Sequence, residues 1–171
     1  MSYHNFHYMD LESCPEDLQQ KLKATDWASI SPEISKILAG PSFYMRQAQH
    51  SHERKLREML SGFDLTETQF MLLAGLMVMT KSGGAVTQMD LASLFNFDKM
   101  LVSKVLRTLE KKCLVVREKH PADSRAKSLV VTTKGLASVD SVLKLVVKFD
   151  EDYFSVLDNK DEFIRQLKKI Q

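Results

Sequence analysis

A fixed order of short segments between residues 87 and 132 leaves few folds open to this chain. Thr87, with Asp90 three residues later, fits a capping box that begins a short helix of about Gln88–Phe95. A tight turn separates this helix from Asp98, a good N-cap, which begins a second helix ending near Lys112. The spacing therefore predicts two consecutive helices with very little chain between them.

The second helix has two chemically different faces. Apolar residues recur on one face at spacings of three and four, at Val102, Val105, Leu106 and Leu109. The opposite face carries mainly cationic or hydrogen-bonding side chains: Lys99, Met100, Ser103, Lys104, Arg107 and Lys111. Because the major groove of B-form DNA admits an α-helix, this face is a candidate for contacts with base edges.

Two runs rich in β-branched residues follow the second helix. Leu114–Val116 begins the first run and Leu129–Thr132 forms the second, with a polar stretch at 119–127 between them. Ala85–Val86 can form a further, very short strand. We therefore predict a mainly α fold with a small β-hairpin, in the element order of a winged helix-turn-helix.

Positive charge is concentrated in this part of the chain. Residues 98–127 carry nine Lys and Arg against four Asp and Glu, a net charge of +5 in a chain whose total is +2. Lys and Arg on the helix and on the hairpin, Lys127 among them, would pair with phosphates and release counterions. The alternative interpretation is that these charges form the solvated face of an ordinary helix. The short helix before and the hairpin after this segment favour DNA binding over that alternative.

The remaining segments divide the chain into regions. Residues 1–40 are predicted to be an N-terminal extension, because prolines break them into short pieces. Residues 41–65 are predicted to hold the first helix of a dimerisation region, 66–133 the winged helix-turn-helix, and 134–171 the C-terminal helices of the dimerisation region. The apolar run Phe70–Met79 predicts a buried core helix, capped by Thr66 and Gln69. It is half the length needed to cross a bilayer, and the N-terminus has no signal-peptide pattern, so a cytoplasmic location is expected.

Several short motifs together resemble the MarR family of winged helix-turn-helix regulators. They are Thr87–Ala92, Asp98–Glu110, Leu109–Arg117, Asp123-x-Arg125 and Thr132-x-x-Gly135, and the resemblance extends from about residue 42 to the C-terminus. It implies an obligate homodimer with the terminal helices at the interface, bound to a pseudo-palindromic operator in double-stranded DNA. It also implies release by a small aromatic or phenolic effector.

The same resemblance implies roles for individual residues. Arg125 matches the wing arginine that enters the minor groove, and Asp123 matches the acidic residue that orients it. Lys99, Ser103, Lys104 and Arg107 fall on the recognition helix. The alternative for Asp123 and Arg125 is an exposed ion pair that has no role in DNA binding and contributes about 0 to 1 kcal/mol to the free energy of unfolding.

One departure from the family pattern is Cys113, which stands where a glycine is usual after the recognition helix. A buried cysteine can act simply as a small hydrophobic residue, and Cys113 would then need no further role. The sharper hypothesis is a redox switch, in which Lys111, Lys112 and Arg117 acidify the thiol. Cys14 is a second candidate, although its sequence neighbours offer no cation.

Other chemistries find little support. His4, His7, His50 and His52 suggest a metal site, but the first pair lies near the terminus and the second pair does not share a helix face, so no metal and no cofactor is predicted. Since no catalytic motif is found, we expect no enzyme. A winged-helix module without a ligand stays open as an alternative. Methionines near the junction of the dimerisation and DNA-binding regions are candidates to line an effector site: Met45, Met59, Met71, Met77 and Met79.

Overall fold

The computed structural model describes residues 15–26, 32–122 and 125–170. The chain divides between His52 and Glu53 into two compact units. The first unit contains helices α1 (Glu16–Ala24) and α2 (Pro32–Leu38) and the greater part of α3 (Pro41–Leu60), which continues into the second unit. The assignment of residues 1–40 to an N-terminal extension stays a prediction.

The second unit contains the predicted helix-turn-helix and hairpin. A 3-10 turn at Ser61–Phe63 follows α3. The elements that follow are α4 (Glu67–Lys81), α5 (Gln88–Phe95), α6 (Lys99–Lys111), β1 (Val115–Lys119), β2 (Lys127–Val131), α7 (Thr133–Tyr153), a 3-10 turn at Phe154–Val156, and α8 (Lys160–Lys168). The mainly α fold with a small β-hairpin is confirmed.

Helix α4 lies at the centre of this unit. Its residues are apolar nearly all round, and Phe70, Leu72, Leu73 and Leu76 are buried. It packs against α5, α6, α7 and β2, so that one continuous core joins the helices to the hairpin. Burying each of these leucines stabilises the fold by about 1.5–3 kcal/mol.

Local caps set the ends of α4, α5 and α6. Both predicted capping boxes form: Thr66 with Gln69, and Thr87 with Asp90. Asp98 Oδ1 accepts hydrogen bonds from the N–H groups of Met100 (2.7 Å) and Leu101 (3.2 Å), which begins α6. The short turn between α5 and α6 passes through Asn96 in a left-handed conformation, with a φ of 51°.

The C-terminus of α6 closes with a Schellman motif. The N–H of Cys113 donates to the carbonyl of Glu110 and the N–H of Leu114 donates to that of Leu109, both at 2.9 Å. Cys113 has a φ of 58°, so it adopts the left-handed conformation that glycine favours. Because Leu114 takes part in this motif, the strand begins one residue later than expected, at Val115.

The two strands form an antiparallel hairpin in which Val115 pairs with Val131 and Lys119 with Lys127. The N–H of Leu129 donates to the carbonyl of Val86 at 2.7 Å, which attaches the hairpin to the segment before α5. Among the described residues, the segment Ala85–Val86 is not a strand, because this hydrogen bond is the only backbone bond it exchanges with the hairpin.

Helix α7 begins against the hairpin. The hydroxyl of Thr132 accepts a hydrogen bond from the N–H of Gly135 (3.0 Å) and donates one to the carbonyl of Cys113 (2.8 Å). Further along, α7 and α8 expose several large apolar side chains: Leu143, Leu145, Val147, Phe163 and Ile164. No helix within residues 15–26, 32–122 and 125–170 combines the length and the apolar character needed to span a membrane.

Candidate nucleic-acid interface

Helix α6 is divided lengthwise, as its sequence predicts. Val102, Leu106 and Leu109 are completely buried against the rest of the core. Lys99, Met100, Lys104, Arg107 and Lys111 are exposed on the helix, and Ser103 is half-buried. Burial of the apolar stripe therefore fixes which side of α6 faces outward, and that side carries the predicted contact residues.

The cations of this region have different surroundings. Within residues 15–26, 32–122 and 125–170, no carboxylate forms an ion pair with Lys99, Lys104, Arg107 or Lys111. Two other cations, Lys112 and Arg117, form ion pairs with Asp64 and Glu110. The outward face of α6 thus keeps its positive charge largely uncompensated by described acidic groups.

Lys112 joins three elements at the C-terminal end of α6. Its Nζ donates to the backbone carbonyl of Asp64 (2.5 Å), to the Asp64 carboxylate (2.8 Å) and to Oε1 of the buried Gln69 (3.3 Å). Its own carbonyl accepts a hydrogen bond from Lys134 Nζ on α7 at 2.9 Å. Lys112 therefore holds α6 in position and is not part of the outward cationic face.

Arg117 connects α6 to the hairpin. Its Nε lies 3.1 Å from the Glu110 carboxylate, so β1 is tied to the last turn of α6. At the far end of the strands, Lys119 and Lys127 are paired directly across the hairpin. Like charges in facing positions destabilise a strand pair, and an anion bound there would relieve the repulsion.

A cavity of about 460 Å³ lies between the N-terminus of α5 and the hairpin. The first residues of α5 and their N-cap line one side, and the hairpin contributes Arg117, Arg125 and Lys127 to the other. Arg125 and Lys127 give this cavity a positively charged side, whereas Arg117 is already paired with Glu110 and the N–H of Thr87 already donates to the Asp90 carboxylate.

The structure describes only some of the other predicted site residues. Asp123 and Cys14 lie outside the described residues, so the pairing of Asp123 with Arg125 stays a prediction. Arg125 is exposed at the hairpin. Cys113 is an exposed free thiol, which differs from the buried small hydrophobe considered above. Its redox role stays a prediction.

The structure describes only part of the histidine set considered for a metal site. His4 and His7 are outside the described residues, while His50 and His52 lie on α3. Within residues 15–26, 32–122 and 125–170, no three His, Cys, Asp or Glu side chains are arranged to hold a metal ion. Of the methionines, Met59, Met77 and Met79 pack against the core of the second unit.

Comparison with known proteins identifies the family. The family model described as "MarR family" matches residues 65–127, which hold α4, α5, α6 and β1 and end at the first residue of β2. The uncharacterized HTH-type transcriptional regulator YdcH of Bacillus subtilis (strain 168) is 39% identical over 130 residues, which cover 76% of this chain and 88% of that protein. The chain belongs to the MarR family of transcriptional regulators.

Other relatives of this MarR-family chain are also described as transcriptional regulators or resemble it in structure. A putative transcriptional regulatory protein for the hcr operon of Thauera aromatica is 25% identical over 119 residues, 70% of each chain. The structure of the S. aureus MepR–DNA complex superposes with a TM-score of 0.67 at 27% identity, covering 77% of this chain and 93% of that one. The relatives are transcriptional regulators, which confirms the prediction that the chain is not an enzyme.

The fold is also that of a mutant MarR from E. coli complexed with operator DNA. The TM-score is 0.72 at 24% identity, covering 82% of this chain and 99% of that one. The winged helix-turn-helix architecture expected for this MarR-family chain is therefore confirmed.

Sequence reasoning missed two parts of the region. The Lys112–Asp64–Gln69 cluster joins residues 48 and 43 positions apart, and no local pattern pairs them. The cavity between α5 and the hairpin was also missed. The capping box at Thr87 marked the N-terminus of α5, but only the packed hairpin closes a cavity over it.

Proposed function

We propose that this MarR-family regulator binds double-stranded DNA with α6 in the major groove and the β1–β2 hairpin at the adjacent minor groove. The observation that carries the proposal is the outward face of α6, where Lys99, Lys104, Arg107 and Lys111 form no ion pair with any described carboxylate. Such cations replace the counterions of DNA phosphates. MepR of S. aureus, which resembles this chain, is solved in complex with DNA.

The hairpin supports the same orientation. Its register places Lys119 opposite Lys127, and Arg125 is exposed at the same end of the hairpin. Arginine suits a narrow minor groove, where the negative potential is enhanced. We propose Arg125 as the minor-groove contact and Asp123 as the residue that orients it, with Lys127 on a phosphate.

We further propose that the regulator acts as a homodimer on a pseudo-palindromic operator. The exposed apolar side chains of α7 and α8, Leu143, Val147, Phe163 and Ile164 among them, offer surface that a partner subunit would cover. A twofold dimer presents two copies of α6, and two half-sites one helical turn apart require a spacing of about 34–36 Å.

We propose the cavity between α5 and the hairpin as the effector site. Its volume of about 460 Å³ is within the usual range for small-molecule sites, about 300–1,000 Å³. The cationic lining favours an aromatic or phenolic effector that carries a negative charge. An effector bound there would engage Arg125 and Lys127 in competition with phosphates, and so would favour the DNA-free state.

Salt dependence tests the DNA-binding proposal. A fluorescein-labelled duplex, enriched by the wild type from a random-sequence pool, is titrated by anisotropy at several salt concentrations. Each phosphate contact contributes about 0.9 to the slope of log K against log salt, so Lys104→Ala should lower the slope by about that amount per subunit in contact.

Lys148→Ala provides the matched control, because Lys148 is an exposed cation on α7 that pairs with Asp152 at 3.4 Å. This variant has the same net charge as Lys104→Ala and should keep the wild-type slope. Equal slopes for Lys104→Ala and the wild type would contradict the placement of α6 on DNA. An equal reduction in both variants would indicate a general charge effect instead.

A further inference from the structure

Met100 is the most exposed apolar side chain on α6, ahead of Leu101 at 41%, and it interrupts the polar outward face of the helix. Met100, the second residue of the helix, is 78% exposed. The residues that follow on the same face, Ser103, Lys104 and Arg107, are all polar or charged. Met100 thus presents a thioether side chain where every later turn of the face presents a hydrogen-bonding group.

The backbone beneath Met100 is held firmly although the side chain is exposed. Its N–H donates to Asp98 Oδ1 at 2.7 Å, and the buried Val102 two residues later fixes the rotation of the helix. The first turn of a recognition helix is the part that contacts base edges. If α6 enters the major groove, Met100 therefore lies at the depth of the bases, while Lys104 and Arg107 are one and two turns further along.

The chemistry of the groove restricts what Met100 can contact there. Guanine presents two acceptors, cytosine and adenine present amino donors, and only thymine presents an apolar group, its C5-methyl. Methionine has no hydrogen-bond donor and only a weak acceptor, so against any other base edge it would displace water without replacing the lost hydrogen bonds.

We propose that Met100 is a specificity-determining residue that reads the C5-methyl group of a thymine in each half-site. The inference rests on the proposed DNA binding through α6 and adds the identity of one base. Burial of one methyl group against an apolar side chain corresponds to about a fourfold change in affinity.

Deoxyuridine tests this directly, because it differs from thymidine only by the missing methyl group. Duplexes enriched by the wild type from a random-sequence pool are resynthesised with one thymine at a time replaced by deoxyuridine, and affinities are measured by anisotropy. We expect one thymine per half-site at which the replacement weakens wild-type binding about fourfold.

Variants then assign the effect to Met100. In Met100→Ala the same replacement should change affinity by less than about 1.5-fold, and Met100→Leu, which keeps an apolar side chain, should retain most of the sensitivity. Both residues favour helices, so α6 is preserved. Val78→Ala, which shortens an apolar side chain that is 64% exposed on α4, should keep the fourfold effect.

The outcomes separate this inference from the function on which it rests. If the pool yields enriched duplexes but no thymine depends on its methyl group, or if the dependence persists in Met100→Ala, the assignment to Met100 is wrong and DNA binding stands. If the pool yields no enriched duplex at all, both the proposed function and this inference are overturned.

Discussion

Replacing Gly135 by alanine should destabilise the protein far more than the size of one methyl group suggests. Gly135 is the third residue of α7, and a Cβ atom built there lies 2.2 Å from the carbonyl oxygen of Leu114 and 2.8 Å from Val131 Cγ1. The nearest obstacle is backbone and cannot rotate away. The start of α7 must therefore move away from the segment between α6 and β1.

The size of the effect follows from what that movement breaks. The gap must open from 2.2 Å to at least 3.0 Å, the shortest separation that real Cβ atoms show. The Leu114 carbonyl also accepts the N–H of Thr132 at 3.0 Å, and the Thr132 hydroxyl bonds both Cys113 and Gly135. Overpacking costs about 1–3 kcal/mol, and the two hydrogen bonds from Thr132 to Leu114 and Cys113 cost about 1 kcal/mol each when they are weakened; about 1 kcal/mol of helix propensity offsets this loss. We expect a net loss of about 2–4 kcal/mol in the free energy of unfolding.

Urea unfolding followed by circular dichroism, at one fixed protein concentration, measures this loss. With a slope of about 2 kcal/mol/M, the midpoint should fall by about 1–2 M. Gly62→Ala is the matched control, because its added Cβ meets nothing within 4 Å, and its midpoint should stay level or rise. A midpoint for Gly135→Ala equal to that of Gly62→Ala would refute the close approach of α7 to Leu114.

Two further predictions concern the proposed dimer and effector. A chain ending at Leu157, which lacks α8 and its apolar residues Phe163 and Ile164, should sediment as a monomer or aggregate, whereas a full-length chain that is monomeric at micromolar concentration would contradict the dimer. Benzoate, as a simple aromatic acid, should weaken DNA binding. Arg117→Met, which removes a cation from the cavity lining and leaves the Glu110 carboxylate without this partner, should raise the benzoate concentration required about tenfold. An unchanged requirement would exclude this cavity as the site.

Much of the fold was predictable because its signals are local. The capping boxes at Thr66 and Thr87 and the N-cap at Asp98 depend on side chains two or three residues from the groups they bond. The apolar stripe of α6 depends only on helical periodicity, and it defined the opposite, cationic face as well. The predicted contact residues on that face are exposed or half-buried as expected.

Contacts between residues that are far apart in the chain could not be predicted from the sequence. Lys112 and Arg117 belong to the same run of cations as Lys104 and Arg107, and nothing in the run distinguishes them. Packing does so, since it brings Asp64 to Lys112 and Glu110 to Arg117.

The linear order of residues alone determined where the helices begin, which face of α6 is apolar, and that a hairpin follows α6. Each of these properties depends on residues that are close together in the sequence. The folded chain decided which cations are available to a ligand, where a cavity opens, and why Gly135 admits no side chain. These properties depend on atoms that lie 7 to 48 positions apart in sequence and meet only when the core assembles.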